Sequence, residues 1–215
     1  MTLAHWLSGY NRKRKWQLFL SQILPTQDTT VLDVGYCEKE FSPTDNFIEK
    51  HYPHPHRITA LGITPANEFA TRYPAVRAVC YDGTRFPFAD NEFDVCWSNA
   101  VIEHVGNRER QLQFLQEVAR VSKRAFITTP NRFFPVEVHT RTPLLHFLPK
   151  KTFDAYLVRV GKRWATGSYM SLLSERDLKG LLSQAGIERY RLFRNRLLGF
   201  TADFAVVMDC ERGAR

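Results

Sequence analysis

The sequence predicts an α/β fold built around an open sheet, and three observations carry that prediction. Short apolar runs recur along the chain at 30–35, 57–62, 76–81, 93–97 and 124–128, with helical patterns among them. The run at 76–81 stops at the turn signal Asp82-Gly83. The run at 93–97, preceded by Asp90-Asn91, opens at Ser98-Asn99 into a loop. Ligands of open α/β sheets collect outside the carboxyl ends of the strands. Asp82 and Ser98-Asn99-Ala100 are therefore expected to face one crevice.

Residues 3–24 read as an amphipathic helix, with Trp6, Leu7, Tyr10, Trp16, Phe19, Leu20 and Ile23 near helical spacing and Pro25 ending it. Such a helix packs on the sheet or roofs the cleft. Its basic cluster (Arg12, Lys13, Arg14, Lys15) also allows weak contact with a membrane surface. TVLDVG at 30–35 is the buried pattern of a first, central strand. Ser42-Pro43-Thr44-Asp45 then reads as a capped helix start. RITALG at 57–62 is a second strand. The HYPHPH before it holds His51, His54 and His56, but proline breaks their spacing and no carboxylate or cysteine joins them. A connecting loop, not a metal site, is expected there.

Residues 107–121 form a helix with Leu112, Leu115, Val118 and Val121 on one face, followed by the strand RAFIT at 124–128. Residues 131–172 fit no single element and mix aromatic with polar groups, the character of a lid or binding insertion. Ser174 caps a helix closed by Gly186, and 188–193 and 204–209 are the last strands.

The 215 residues suffice for one domain burying roughly 70% of its unfolded surface. No apolar run approaches the roughly 20 residues that span a bilayer. The basic cluster follows the first apolar residues, unlike a signal peptide. Cys37, Cys80, Cys96 and Cys210 lie far apart, so reduced thiols and a cytoplasmic location are expected. The net charge of +8 is dispersed and accompanies no nucleic-acid-binding pattern. It implies a field favouring anionic substrates.

The stretch CYDGTRFPFADNEFDVCWSNAVIEHV at 80–105 carries a more specific signal. An acidic residue, a Phe-Pro-Phe turn, Phe-Asp and Ser-Asn-Ala-Val-Ile-Glu-His-Val follow one another, and Thr129-Pro130-Asn131-Arg132 ends a later strand. In these features the chain resembles class I S-adenosylmethionine (SAM)-dependent methyltransferases of type 11. The resemblance implies a Rossmann-like, doubly wound, mostly parallel seven-stranded sheet with an antiparallel edge pair, in three α/β/α layers, as a single domain over 1–215. It implies SAM as cofactor. Asp33 and Gly35 would lie beneath it, Gly62 would end the second strand beside it, and Asp82 would accept from the adenine amino group. Gly83 would leave room there, with Phe86 near the ring, and Ser98, Asn99 and Ala100 would line the methionine side.

Two departures stand out. The turn Gly35-Tyr36-Cys37-Glu38-Lys39 lacks the second and third glycines of the family pattern, and Gly62 stands where a ribose-binding carboxylate is usual. For the acceptor's proton the candidates are His104, followed by His139 and Glu137. Arg132 and Arg141 are the candidates for holding an anionic acceptor, and Asn131 and Glu137 are further candidates for contact with the acceptor. The acceptor class implied is a small molecule, a glycan or a lipid-linked group. A binding or scaffold protein without catalysis is the alternative. A nicotinamide-dependent Rossmann enzyme is disfavoured, because no G-x-G-x-x-G follows the first strand.

Overall fold

The computed structural model describes residues 3–137, 140, 142–167 and 170–210. The strands are β1 (Val31–Val34), β2 (Ile58–Gly62), β3 (Arg77–Cys80), β4 (Phe93–Asn99), β5 (Ser122–Pro130), a small pair β6 (Val136–Glu137) and β7 (Thr142–Pro143), then β8 (Tyr190–Leu197) and β9 (Phe200–Asp209). The helices are α1 (Leu3–Ile23), α2 (Phe47–His51), α3 (Asn67–Arg72), α4 (Arg108–Val121), α5 (Lys150–Arg159) and α6 (Glu175–Gln184). Seven strands form one sheet in the order β3-β2-β1-β4-β5-β9-β8, with β9 antiparallel to both neighbours. The expected mixed sheet is present, and its final antiparallel pair closes through Leu198-Gly199, both at positive φ.

Alternation along the strands sorts side chains into two cores, one per sheet face. Leu32, Val34, Cys96, Ile127 and Val206 meet α4 and α6 on one face. Val31, Val95, Trp97, Phe126 and Ala205 meet α1 and α2 on the other. Buried Trp16, Phe19 and Ile23 recur at helical spacing and hold α1 to the sheet. Phe19 meets Trp97 edge-on at 5.0 Å between centroids, and Trp97 stacks on Phe126 at 5.1 Å. Each such pair adds about 0.5–1.5 kcal/mol beyond area burial. α1 is thus a roof on the sheet. Within its basic cluster Lys15 is buried, Arg12 lines a cavity, Arg14 donates to the Arg196 carbonyl at 2.8 Å, and Lys13 is exposed. Among the described residues no helix is long and apolar enough to cross a membrane.

Several expected boundaries move. No helix starts at Ser42, because the Asp45 carboxylate accepts from the Phe41 and Ser42 amides and closes a turn there. α2 begins only at Phe47, after Asn46 at φ 47. β4 continues through Ser98 and Asn99, because both still pair with β5 opposite Ile127 and Thr128. α4 is capped by Asn107 as its sequence suggests, and α6 carries the full capping box of Ser174 and Asp177.

Candidate active site

The sheet's direction of growth reverses between β1 and β4, the topological switch point where open α/β sheets take ligands. Gly35 leaves β1 at φ +103, and a Cβ there would collide with Val101 Cγ2. This position requires glycine on both counts. A cavity of about 60 Å³ lies above it, lined by Arg12, Asp33, Gly35, Asn46, Glu49 and Asn99 among others. That is well short of the roughly 300 Å³ at which ligand pockets begin.

Asp33 and Glu49 are both buried and hydrogen-bond to one another, and no other protein donor reaches either Glu49 oxygen. Burial first, and the Glu49 charge second, push the Asp33 carboxyl well above its ordinary range. Burial likewise raises Glu49. Two carboxyls so placed share a proton more readily than they both ionise. Burial also raises the neighbouring Cys37 thiol to about 11, which keeps it protonated and unreactive.

The loop from β1 to α2 is held by its own polar side chains in place of glycines. Asn46 donates to the Cys37 carbonyl and accepts from the Cys37 amide, both at 2.8 Å. Glu38 accepts from the Glu68 and Phe69 amides at the start of α3. Tyr36 turns over Gly62, packs on Phe69 at 4.5 Å between centroids, and donates to the Thr64 carbonyl. The place beside Gly62, which the resemblance gives to the cofactor ribose, is occupied by the Tyr36 ring.

Beside the cavity a polar network fixes the roof. Strand alternation points Asp33, Asn99, Thr128 and Asp203 at α1. Lys15 Nζ lies 3.4 Å from Asp203 Oδ2 and 3.5 Å from both Asn99 Oδ1 and Thr128 Oγ1. Asn11 and Asn195 donate to the two Asp203 oxygens at 2.5 and 2.6 Å. Desolvation lowers the pKa of Lys15, and the Asp203 charge opposes that shift.

The same alternation corrects Ser98. It faces the α4 side, is wholly buried and donates to the Val34 carbonyl, so it does not share a surface with Asn99. Ala100, at φ 58, donates its amide to the Thr128 carbonyl and turns the chain away. Asp82 is exposed and its Oδ1 accepts from the Thr84 amide at 2.9 Å and from Thr84 Oγ1, which makes it a turn cap with one oxygen to spare. Gly83 follows at φ +81, beside Ile63. Phe86 is buried against Tyr81 and Phe114. His104 sits half-buried in the 3-10 turn Ile102–His104 after β4. Its neighbour Glu103, fully buried, accepts from Thr129 Oγ1 at 3.1 Å.

Asn131 is a structural residue. Its side chain donates to the Thr201 carbonyl and accepts from the Phe133 amide. Arg132 donates its amide to the Leu173 carbonyl while its side chain is exposed, with its charge felt by Asp177. Residues 131 and 173 therefore pair, and the insertion between them leaves and returns at one point. It has a small core of its own, Phe153, Leu157 and Ala165. Glu137 ends β6, and His139 and Arg141 lie outside the described residues. No cluster of metal-ligating side chains occurs among the described residues.

SAM is the cofactor implied by the resemblance, and the residues present fit one half of it. A buried carboxyl pair and a guanidinium at the cavity suit an amino-acid group. The ribose side lacks its carboxylate and is covered by Tyr36. Arg12, Glu49 and Tyr36 were not among the site residues expected from the sequence, although Arg12 stood in the basic cluster of the first helix and Tyr36 in the altered turn.

Residues 32–125 match the family described as "Methyltransferase domain". Among solved structures, the chain is similar to a SAM-dependent methyltransferase from Aquifex aeolicus, at TM-score 0.56 and 18% identity, over 89% of this chain and 87% of that one. It is similar to the 1,6-didemethyltoxoflavin-N1-methyltransferase of Burkholderia thailandensis, bound to S-adenosylhomocysteine (TM-score 0.59, 14% identity, 94% and 79% covered). It is also similar to a Haloferax volcanii complex of the Trm112 methyltransferase activator and a putative methyltransferase (TM-score 0.63, 11% identity, 98% and 94% covered). Among curated proteins none matches the chain.

Proposed function

We propose that the chain, whose residues 32–125 match the methyltransferase domain family, transfers a methyl group from SAM to a small-molecule, glycan or lipid-linked acceptor. The observation that carries this reading is the cavity at the switch point, inside the matched region, where Asp33, Gly35 and Asn99 converge. Bound SAM supplies a methyl group already activated by the positive sulfur beside it. The protein must align the acceptor with that methyl, remove its proton and exclude water. In this reading Asp33, Gly35 and Asn99 hold the cofactor's methionine half, with Asp82 and Gly83 at its adenine end. α1 and the insertion 131–172 cover the site. His104 takes the acceptor's proton, and Glu137, His139 and Arg141 lie in the acceptor-binding insertion. The four free cysteines agree with a cytoplasmic setting.

Tyr36 over Gly62 favours a second reading, a methyltransferase-like binding protein without catalysis, and the Haloferax complex adds a protein partner to the candidates. Isothermal calorimetry with S-adenosylhomocysteine and with SAM tests the first reading. Heat and a thermal shift with either ligand are expected; neither with both would leave the binding-protein reading.

A further inference from the structure

We propose that the insertion 131–172 and the tip of the β8–β9 hairpin together form a face that docks on an anionic lipid bilayer. Among the described residues fourteen large apolar side chains are exposed, and ten of them stand here, eight in the insertion and two at the tip. Phe133 is 62%, Leu144 60% and Leu198 86% exposed. Exposed apolar side chains gathered in one region mark an interaction site, whereas scattered ones would not. Backbone contacts gather these. Asn131 donates its amide to the Ala202 carbonyl and its side chain to the Thr201 carbonyl, so the insertion starts against the tip that carries Leu198 and Phe200. Leu144 donates its amide to the Pro135 carbonyl, which brings the 3-10 turn holding Phe147 back to the same start.

Charge selects the partner. The insertion has seven lysines and arginines against two acids, Glu137 and Asp154, so it carries +5 of the chain's +8. Its cations adjoin the apolar groups in the chain: Arg132 precedes Phe133, Lys150 and Lys151 follow Leu148, and at the tip Arg196 precedes Leu198. α5 opens on Lys150-Lys151 with no acid in its first turn, where the helix dipole disfavours cations. Lys150 has Asp154 as partner at 3.0 Å, and Lys151 is exposed. A local preference broken in this way points to an anion outside the chain. Apolar tips among cations fit acyl chains beneath a layer of lipid phosphates. A second copy is disfavoured, because a twofold contact would set one basic face against another.

The face lies at the same end of the sheet as the cavity. β4 and β5 run parallel to β1, and antiparallel β9 starts where β5 ends, at the carboxyl end of the parallel strands. Docking itself does not depend on methyl transfer. One consequence does rest on that reading: an enzyme held to a bilayer by this end takes a lipid-borne acceptor from it.

The test is co-sedimentation of the full chain with vesicles of phosphatidylcholine alone and of phosphatidylcholine mixed with phosphatidylglycerol. Wild type is expected to sediment with the mixed vesicles only, and less so at high salt. Lys150→Gln with Lys151→Gln should weaken partitioning about 25-fold, at about fivefold for each cation near the surface. Phe133→Ser with Leu198→Ser should weaken it roughly tenfold or more. Leu24→Ser, at an exposed apolar position toward the other end of the sheet, should leave it unchanged. Thermal melts confirm that the variants are folded. No sedimentation, equal sedimentation with neutral vesicles, or face variants that match wild type would overturn the inference. So would a dimer in place of vesicle binding, dissolved by the same variants in analytical ultracentrifugation, which gives the face to a second copy. None of these outcomes touches the methyl-transfer reading, which calorimetry with S-adenosylhomocysteine tests without vesicles.

Discussion

Tyr36 and Gly62 form one fitted pair. A Cβ built on Gly62 would lie 2.6 Å from Tyr36 Cε1 and 2.9 Å from two further ring atoms, so the ring can lie here only over a glycine. The two departures from the family pattern, a bulky turn after β1 and no acid after β2, thus meet in one contact. Gly62→Ala should destabilise the fold by about 1–3 kcal/mol through overpacking, and Tyr36→Ala should relieve most of that penalty in the double variant. Urea denaturation of the four-member cycle measures this, and additive effects would show the two residues to be independent. In the Tyr36→Ala background, Gly62→Asp restores a carboxylate at the strand end. It should tighten S-adenosylhomocysteine about tenfold or more, the equivalent of one charged hydrogen bond.

The roof depends on Lys15 and Asp203, whose side chains are only 9% and 5% exposed. Asp203→Ala leaves the ammonium buried without its counter-charge. Such losses cost about 3–5 kcal/mol. Chemical denaturation should show that drop, and replacing both residues (Lys15→Met with Asp203→Leu) should recover much of it. A drop below 1 kcal/mol would mean that α1 lifts and solvates the lysine.

The Ser174 cap predicts a pH signature. Ser174 Oγ and amide both donate to Asp177 Oδ2, and the hydroxyl bond is the chief reason the Asp177 carboxyl titrates below its ordinary value. A depressed carboxyl stabilises the fold above its unfolded pKa of about 3.9 and loses that contribution as pH falls through the lower folded value. Ser174→Ala should cost about 1 kcal/mol near neutrality. The gap from wild type should narrow below about pH 4, as Asp177 becomes protonated in both proteins. Thermal melts at pH 7 and pH 3 compare them.

His104 is the proposed base, and a proton-transfer role has a kinetic signature. His104→Asn should lower turnover by about 10²–10⁴-fold once an acceptor is known, with S-adenosylhomocysteine affinity close to wild type. A variant that turns over normally would return His104 to a purely structural place in its turn.

Local signals in this chain are read without its fold. Apolar runs ending at Asp82-Gly83 and Ser98-Asn99 mark strands, and Asn107 and Ser174 mark helix starts, because capping and turn chemistry act within a few residues. The 80–105 stretch carries the family in the same local way. The site was legible only in outline. Whether Ser98 or Asn99 faces the crevice depends on strand parity, and β4 runs two residues past its apolar core because β5 pairs with it there. The meeting of Asp33 with Glu49 arises from the packing of α2 back onto β1, and that of Arg12 with both from the docking of α1 through Trp16 and Phe19. No spacing in the sequence records those encounters. Propensity and periodicity are properties of neighbours along the chain, whereas a buried carboxyl pair with a guanidinium opposite is a property of three elements packed around one end of a sheet.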